Sequence, residues 1–339
     1  MSQLNKVTAA DVAKLAGVST ATVSRALQAR GIISDETRNK VMAAVRSLGY
    51  QPNGIARGLA TQQNNLIGLV AGDLTNPFYP EIIERFTKCL TEAGFHTMLV
   101  SMIDGVPIAE TLSPLLQYRV QAAIFVAAPL TSSGCQLCVE NGITPYLFNR
   151  RIDSHDIMSV ACDNYASGRL IANLLLDAGH KQLAYIGGRI DTSTNTERLS
   201  GFSDAIIARK EKACIVSHGG LFSYEAGYRT AIRLMATHPE IDGIFCADDI
   251  IALGVLDALK YQLKLNVPGD ISVVGFDDIS SAGWAAYDLT TIQQPVDLMI
   301  NSVISAIRES VVSGHKKYDH PLLFPGTFIR RSTAKLKGS

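Results

Sequence analysis

The chain has 339 residues, 47% of them hydrophobic and 18% charged, with a formal charge of +0 at pH 7. That is the composition of an ordinary soluble globular protein, long enough for one small and one or two mid-sized domains with cores of their own. No apolar run approaches the ~20 residues of a membrane span, and no charged start followed by an apolar block marks the N-terminus for export, so a cytoplasmic protein without membrane contact is expected.

The N-terminal run from Val7 to Leu27 predicts two short helices hinged at Gly17. Thr8 is placed to cap the first, and Val12, Leu15 and Ala16 give it one apolar face. Gly17 permits the backbone of a tight helix-to-helix turn, and Ser19 is placed to cap the second helix. Val23 and Leu27 point inward, which leaves Thr20, Ala21, Ser24, Arg25 and Gln28 on other faces. A third helix opens at Ser34, with Asp35 and Glu36 in its first turn and an inward stripe of Val41, Val45 and Leu48. A generic three-helix bundle has such stripes too, but here the charge is segregated. Residues 1–62 hold eight basic side chains (Lys6, Lys14, Arg25, Arg30, Arg38, Lys40, Arg46, Arg57) against Asp11, Asp35 and Glu36, a net +5, so the remainder carries −5. A basic head on an acidic body fits a modular DNA binder. In that reading Thr20, Ala21 and Arg25 reach base edges, with the Arg25 fork suited to guanine, while Thr22, Ser24 and the capped N–H groups behind Thr8 and Ser19 hold phosphates.

Pro52 breaks the chain after the third helix. Asn53 to Ala60 can form two helical turns, but Gly54 and Gly58 each cost about 1 kcal/mol relative to Ala and so short a helix is marginal alone. The segment is expected to fold only when docked on DNA. From Leu66 the pattern changes to strands alternating with helices. Strands are predicted at 66–71, 97–101, 122–126 and 145–148 with helices at 77–94, 107–119 and 133–140. A second series has strands at 157–161, 182–186, 213–216, 242–246 and 271–275 with helices at 165–178, 197–209, 224–237 and 249–261. A helix at 295–312 and a strand pair near 322–331 close the chain. Two such series predict two parallel-sheet lobes, with ligands bound beyond the strand ends in the cleft between them.

The residues now quoted resemble the LacI/GalR family of bacterial transcription regulators from end to end. Val7-Thr8 through Leu27 matches its helix-turn-helix signature and Tyr50-Gln51-Pro52-Asn53 the start of its hinge. Asn76-Pro77-Phe78, Gly179-His180-Lys181, Arg198-Leu199-Ser200-Gly201-Phe202 and Val274-Gly275-Phe276-Asp277-Asp278 match landmarks of its effector-binding core. The resemblance implies an all-α helix-turn-helix domain over 1–51, a hinge helix and linker over 52–65, and a periplasmic-binding-protein-like core over 66–333. That core is an α/β pair of Rossmann-like lobes, about 66–160 plus 294–322 and about 161–291 plus 323–333, with a tail at 334–339. It also implies that Asn53 and Leu59 belong to the DNA-binding set, with Leu59 as the wedge that bends the minor groove, and that Arg198 and Asp277 anchor the ligand with Asp248 and Asn149 as polar partners.

The body contains no phosphate loop, GxGxxG, GxSxG or HExxH motif. The paired carboxylates Asp248-Asp249 and Asp277-Asp278 are the enzymatic alternative, but adjacent strand-end residues seldom point the same way, so one of each pair is expected to face the cleft. Phe78 and Tyr79 are candidates to stack on a ligand, as is Phe222, for which a core role is equally open. The loop 190–196, with Thr194, favours a neutral polyol, and Trp284 is either a sugar platform or a packing residue. The six cysteines read as reduced thiols, the Cys135-Gln136-Leu137-Cys138 pair included, because nothing nearby completes a metal or redox site. The expectation is therefore a regulator, most simply a repressor, that binds a palindromic operator as a homodimer under control of a small ligand such as a sugar. No cofactor or metal is expected. The alternatives are a sugar-binding protein, which would not carry the head, and a sugar-modifying enzyme. The tail 331–339 has no leucine heptads, so a dimer rather than a coiled-coil tetramer is expected.

Overall fold

The computed structural model describes residues 7–27, 33–50, 65–103, 105–126, 132–152, 157–313 and 320–337. The chain divides into two compact units, Met1–Asn64 and Asn65–Ser339. Gln28, Asn53, Leu59 and the expected hinge over 52–64 lie outside the described residues.

The first unit holds three helices: α1 (Ala9–Ala16), α2 (Thr20–Ala26) and α3 (Asp35–Leu48). Each starts at a predicted hydroxyl cap. Thr8 and Asp11 form a reciprocal capping box at α1, the Ser19 hydroxyl accepts from the N–H of Thr22 at α2, and Ser34 accepts from the N–H of Thr37 at α3. Gly17 ends α1 at φ 67°, a conformation that penalises any Cβ. Val12, Ala13, Val23, Ala26, Val41 and Ala44 make the core, with Val45 and Leu48 packed at its edge. Leu15 departs from expectation: it is 55% exposed, because Ala13 rather than Leu15 turns inward beside Val12.

In the second unit a six-stranded, all-parallel sheet runs in the order β11-β5-β4-β3-β1-β2. Its strands are β1 (Leu66–Ala71), β2 (His96–Ser101), β3 (Ala122–Val126), β4 (Thr144–Phe148), β5 (Met158–Cys162) and β11 (Leu322–Phe324). Alternate residues serve opposite faces: Ile67 and Leu69 of β1 join one core and Val70 the other, as do Ile124 and Phe125 of β3. Helices α4 (Phe78–Glu92), α5 (Ile108–Gln117) and α6 (Ser132–Glu140) connect this lobe. A four-stranded parallel sheet, β7-β6-β8-β9, forms the second lobe from β6 (Leu183–Gly187), β7 (Ile215–His218), β8 (Gly243–Cys246) and β9 (Ser272–Val274). Its helices are α7 (Asn164–Asp177), α8 (Ser193–Ala208), α9 (Tyr224–Thr237) and α10 (Asp249–Asp257), the last continuing as a π-helical turn over Ala258–Gln262. The final helix, α11 (Val296–Ser313), packs on α4 and β5 of the first lobe.

Three features differ from the sequence reading. Helix α8 begins at Ser193, a turn earlier than 197, because the Thr192 hydroxyl caps it by accepting from Asn195 N–H at 3.4 Å. Residues 193–196 are therefore helix rather than loop. A short strand, β10 (Thr291–Gln293), pairs antiparallel with β12 (Thr327–Ile329). The closing strands 322–324 and 327–329 thus do not pair with each other; β11 adds to the six-stranded sheet beside β5.

Candidate functional site

On the head, α2 turns Thr20, Ala21, Ser24 and Arg25 to solvent, while Val23 and Ala26 are buried. The helix is held from behind by the Arg38 guanidinium of α3, which donates to Ala26 O at 2.8 Å, a tie the sequence did not reveal. Some predicted hydroxyls are already engaged: Thr8 Oγ1 donates to Asp11 Oδ2 at 2.7 Å, and Ser19 and Thr22 share a hydrogen bond of 2.9 Å. Ser24 and the Arg25 fork, whose Nε donates to Ala21 O at 3.4 Å, extend from an exposed, basic, capped helix. Such a helix meets the steric and electrostatic needs of a major-groove reader.

In the core, the ends of β4, β6, β8 and β9 bring the other predicted residues together. Arg198, 2% exposed, lies within the second turn of α8. Its Nε donates to Asn164 Oδ1 at 2.9 Å, Nη1 to the Ala247 carbonyl, and Nη2 lies 3.5 Å from Asp277 Oδ1. The guanidinium carbon sits 3.5 Å over the Phe276 ring, so the plane of the fork is fixed by stacking as well as by hydrogen bonds. Asp277 also accepts from Gln294 Nε2 at 2.7 Å and adopts φ 116°, an unfavourable region for a residue with a Cβ that costs about 1–3 kcal/mol. Asp248 caps α10 through Ile251 N–H and accepts from Asn76 Nδ2 of the first lobe at 2.8 Å. Tyr79, buried at the start of α4, lies within the electrostatic reach of Arg150, Asp277, Arg198 and Asp248, and burial raises its hydroxyl above the ordinary range. Phe78 meets Tyr79 edge to face at 5.3 Å. Both rings are buried rather than open platforms.

Of each aspartate pair, one member faces the cleft. Asp249 turns back to accept from Thr291 Oγ1 at 2.6 Å and Ile279 N–H at 2.9 Å. Asp278 binds Arg331 at 2.6 Å and Gln293 Nε2 at 2.8 Å. Burial is the largest influence on Asp248 and Asp277 and raises both carboxyls; Asp277 raises Asp248 further, while Arg198 and Gln294 draw Asp277 back down. Asn149 ends β4 at φ 58°, and its buried Oδ1 accepts no hydrogen bond from the described residues; nor does Gln294 Oε1. Thr194 accepts from Arg150 Nη1 at 2.9 Å. Phe222 is partly buried and lies against Gly188, where a Cβ would meet its ring at 2.7 Å. A cavity of about 220 Å³ opens beside Asp277, walled by Phe78 and Ile82 on one side and Gln294, Val296 and Leu298 on the other. Trp284 is 60% exposed, so it is not a packing residue.

Arg150, Asn164, Glu197 and Gln294 were not among the sequence candidates. Their partners lie 17 to 44 residues away, beyond the reach of any local pattern. Cys135 and Cys138 are buried in the first lobe, where burial pushes their thiols up to about 12 and about 11, so neither is a ready thiolate. Among the described residues no His, Cys, Asp and Glu cluster is arranged to hold a metal, and no helix is long and apolar enough to cross a membrane.

Residues 8–53 match the family described as bacterial regulatory proteins, lacI family, and residues 172–334 match the periplasmic binding protein-like domain. The sucrose operon repressor of Pediococcus pentosaceus is 33% identical over 92% of this chain and 96% of its own length. The HTH-type transcriptional regulator CelR of Thermobifida fusca is 31% identical over 85% and 87%. Among solved structures, the Lac repressor dimer bound to operator and the anti-inducer ONPF superposes with a TM-score of 0.86 at 25% identity, covering 97% of this chain and 99% of that one. A CelR–cellobiose complex superposes at 0.74 with 26% identity, covering 97% and 100%.

Proposed function

The chain belongs to the lacI family of bacterial regulatory proteins, and from that membership we propose that it is a cytoplasmic repressor that binds a palindromic operator as a homodimer and is released from or driven onto it by a sugar in the cleft. In this reading α2 lies in the major groove. Arg25 takes a guanine edge with Gln28 beside it, Thr20 and Ala21 meet neighbouring bases, and Thr8, Ser19, Thr22 and Ser24 lie along the phosphates. Asn53 and Leu59 of the hinge over 52–65 complete the contact in the minor groove.

The observation that carries the ligand class is the charge balance of the buried cleft. Two guanidinium groups, Arg150 and Arg198, stand among two carboxyls, Asp248 and Asp277, with the amide oxygens of Asn149 and Gln294 accepting no hydrogen bond from the described residues. A neutral polyol matches this set. Its hydroxyls donate to the carboxylates and amide oxygens and accept from the guanidinium forks, and no unpaired charge is brought into the interior. The names of relatives point the same way, to sucrose and cellobiose.

Calorimetry of the full-length protein with cellobiose, sucrose and ribose, with adenine as the planar contrast, tests the ligand class. Binding of a neutral sugar that Arg198→Lys or Asp277→Asn abolishes is the expected result. Binding of adenine alone would overturn it. Selection from a duplex library, with Arg25→Ala beside the wild type, tests the operator: a two-fold-symmetric site lost in Arg25→Ala is expected.

A further inference from the structure

A continuous chain of polar side chains runs from one lobe to the ligand anchor of the other. Arg151 follows β4 of the first lobe. Its backbone N–H donates to Ser193 Oγ of the second lobe at 3.1 Å, and its Nε lies 3.2 Å from Glu197 Oε1. The other oxygen of Glu197 accepts from Asn164 Nδ2 at 3.2 Å, and Asn164 Oδ1 accepts from Arg198 Nε at 2.9 Å. Asn164 is fully enclosed, and chemistry fixes which way its amide points: the NH2 must face a carboxylate and the oxygen a guanidinium.

Glu197 is the weak link of this chain. Its Oε1 is buried and accepts no hydrogen bond of normal geometry from the described residues, so the nearby Arg151 cation is what offsets the charge there. If Arg151 leaves, Glu197 is left under-compensated and turns toward solvent. Asn164 then loses the acceptor that holds its NH2, the amide is free to rotate, and Arg198 loses the acceptor that fixes its Nε. The Phe276 ring and the Ala247 carbonyl still hold the plane of the guanidinium, but the Nε bond is the one that fixes its rotation within that plane from the second-lobe side, so its loss loosens the direction of the two outer nitrogens.

We propose that Glu197 and Asn164 are positioning residues that make the orientation of Arg198 conditional on contact between the lobes through Arg151. The consequence rests on the reading that the cleft takes the effector: ligand grip and lobe contact become one linked equilibrium, and each favours the other by the same factor.

The test needs no effector. In the full-length protein with 15N-labelled arginine, the Arg198 Nε–H signal is identified by its loss in Arg198→Lys, and its hydrogen exchange is measured. Arg151→Ala and Glu197→Gln are each expected to speed that exchange by about tenfold or more, and Arg151→Lys, which keeps the charge, to restore slow exchange. Arg209→Ala removes a different ion pair, Arg209 to Asp177 at 2.6 Å, which ties the C-terminal ends of α7 and α8 away from the cleft, and is expected to leave the Arg198 signal unchanged. Unchanged exchange in Arg151→Ala overturns the proposal, as does equal acceleration in Arg209→Ala. Should Glu197→Gln fail to fold, Arg151→Ala alone decides, since its side chain is 37% exposed at the edge of the cleft. Failure of this test leaves the sugar reading standing, and failure of sugar binding leaves this test intact.

Discussion

The head and the cleft are built on opposite plans. On α2 the outward residues are exposed and their supports are local: Ser19 caps Thr22 three residues on, and Arg25 leans on Ala21 four residues back. In the cleft the working side chains are buried, and their partners are remote in sequence. Asn76 meets Asp248 across 172 residues, and Arg198 meets Ala247 and Asp277 across 49 and 79. A helix presented to DNA keeps its charges solvated until the phosphates arrive. A buried cleft must desolvate its charges in advance and pair them with partners from its own walls.

Single substitutions should separate the two plans. The largest effect is expected from Arg198→Ala, which leaves Asn164 Oδ1 buried without its donor and Asp277 buried without its cation, held only by Gln294. Urea unfolding should report a loss of about 3–5 kcal/mol, whereas a loss below about 1 kcal/mol would mean that the carboxyl is protonated and needs no partner.

The same carboxyls set a pH dependence. Burial holds Asp248 protonated in the folded chain up to about pH 7, and Asp277 up to about pH 6, while both ionise near the ordinary 3.8 when unfolded. Between those limits the folded state binds more protons, so this contribution is complete below about pH 4 and is lost as pH rises through about 7. Urea midpoints should therefore fall across that window, with a shallower fall in Asp248→Asn. A rise would reverse the sign of the argument. A sugar that donates to the ionised carboxylates should bind more tightly as pH rises through the same window.

The head should answer in the other way. Arg25→Ala is expected to reduce discrimination at one base position by about 1–3 kcal/mol while leaving the melting temperature unchanged, because the side chain supports no packing. A drop in stability with operator preference retained would make Arg25 structural. The smallest effect is expected from Ser19→Ala: loss of the α2 cap should cost about 1 kcal/mol, seen as a lowered melting temperature of the head with the core transition unmoved.

The legibility of each part follows from the same contrast. Thr8, Ser19 and Ser34 were identifiable as caps because a cap and the N–H it serves lie within three residues. The buried strands were identifiable from their continuous apolar runs. Leu15 was misplaced because a helix of eight residues offers two adjacent apolar stripes, and the choice between them depends on what packs opposite. Strand β10 was missed because Thr291–Gln293 is a strand only by virtue of residues 327–329. In the cleft, Arg198 and Asp277 were found through a family motif, but their orientation was not, since it depends on Asn164, Ala247 and Gln294.

By itself, then, the sequence determined the three capped helices of the head, their charge, the two series of alternating strands and helices, and that one of each pair of adjacent aspartates had to turn away. Those features rest on interactions between near neighbours, or on the solvent preference of single side chains. Only the tertiary structure decided that Arg150 and Arg151 cross to α8, that Glu197 and Asn164 stand behind Arg198, and that Gln294 closes on Asp277. These contacts join residues brought together by crossover connections between parallel strands, and no local periodicity records which strand ends will meet.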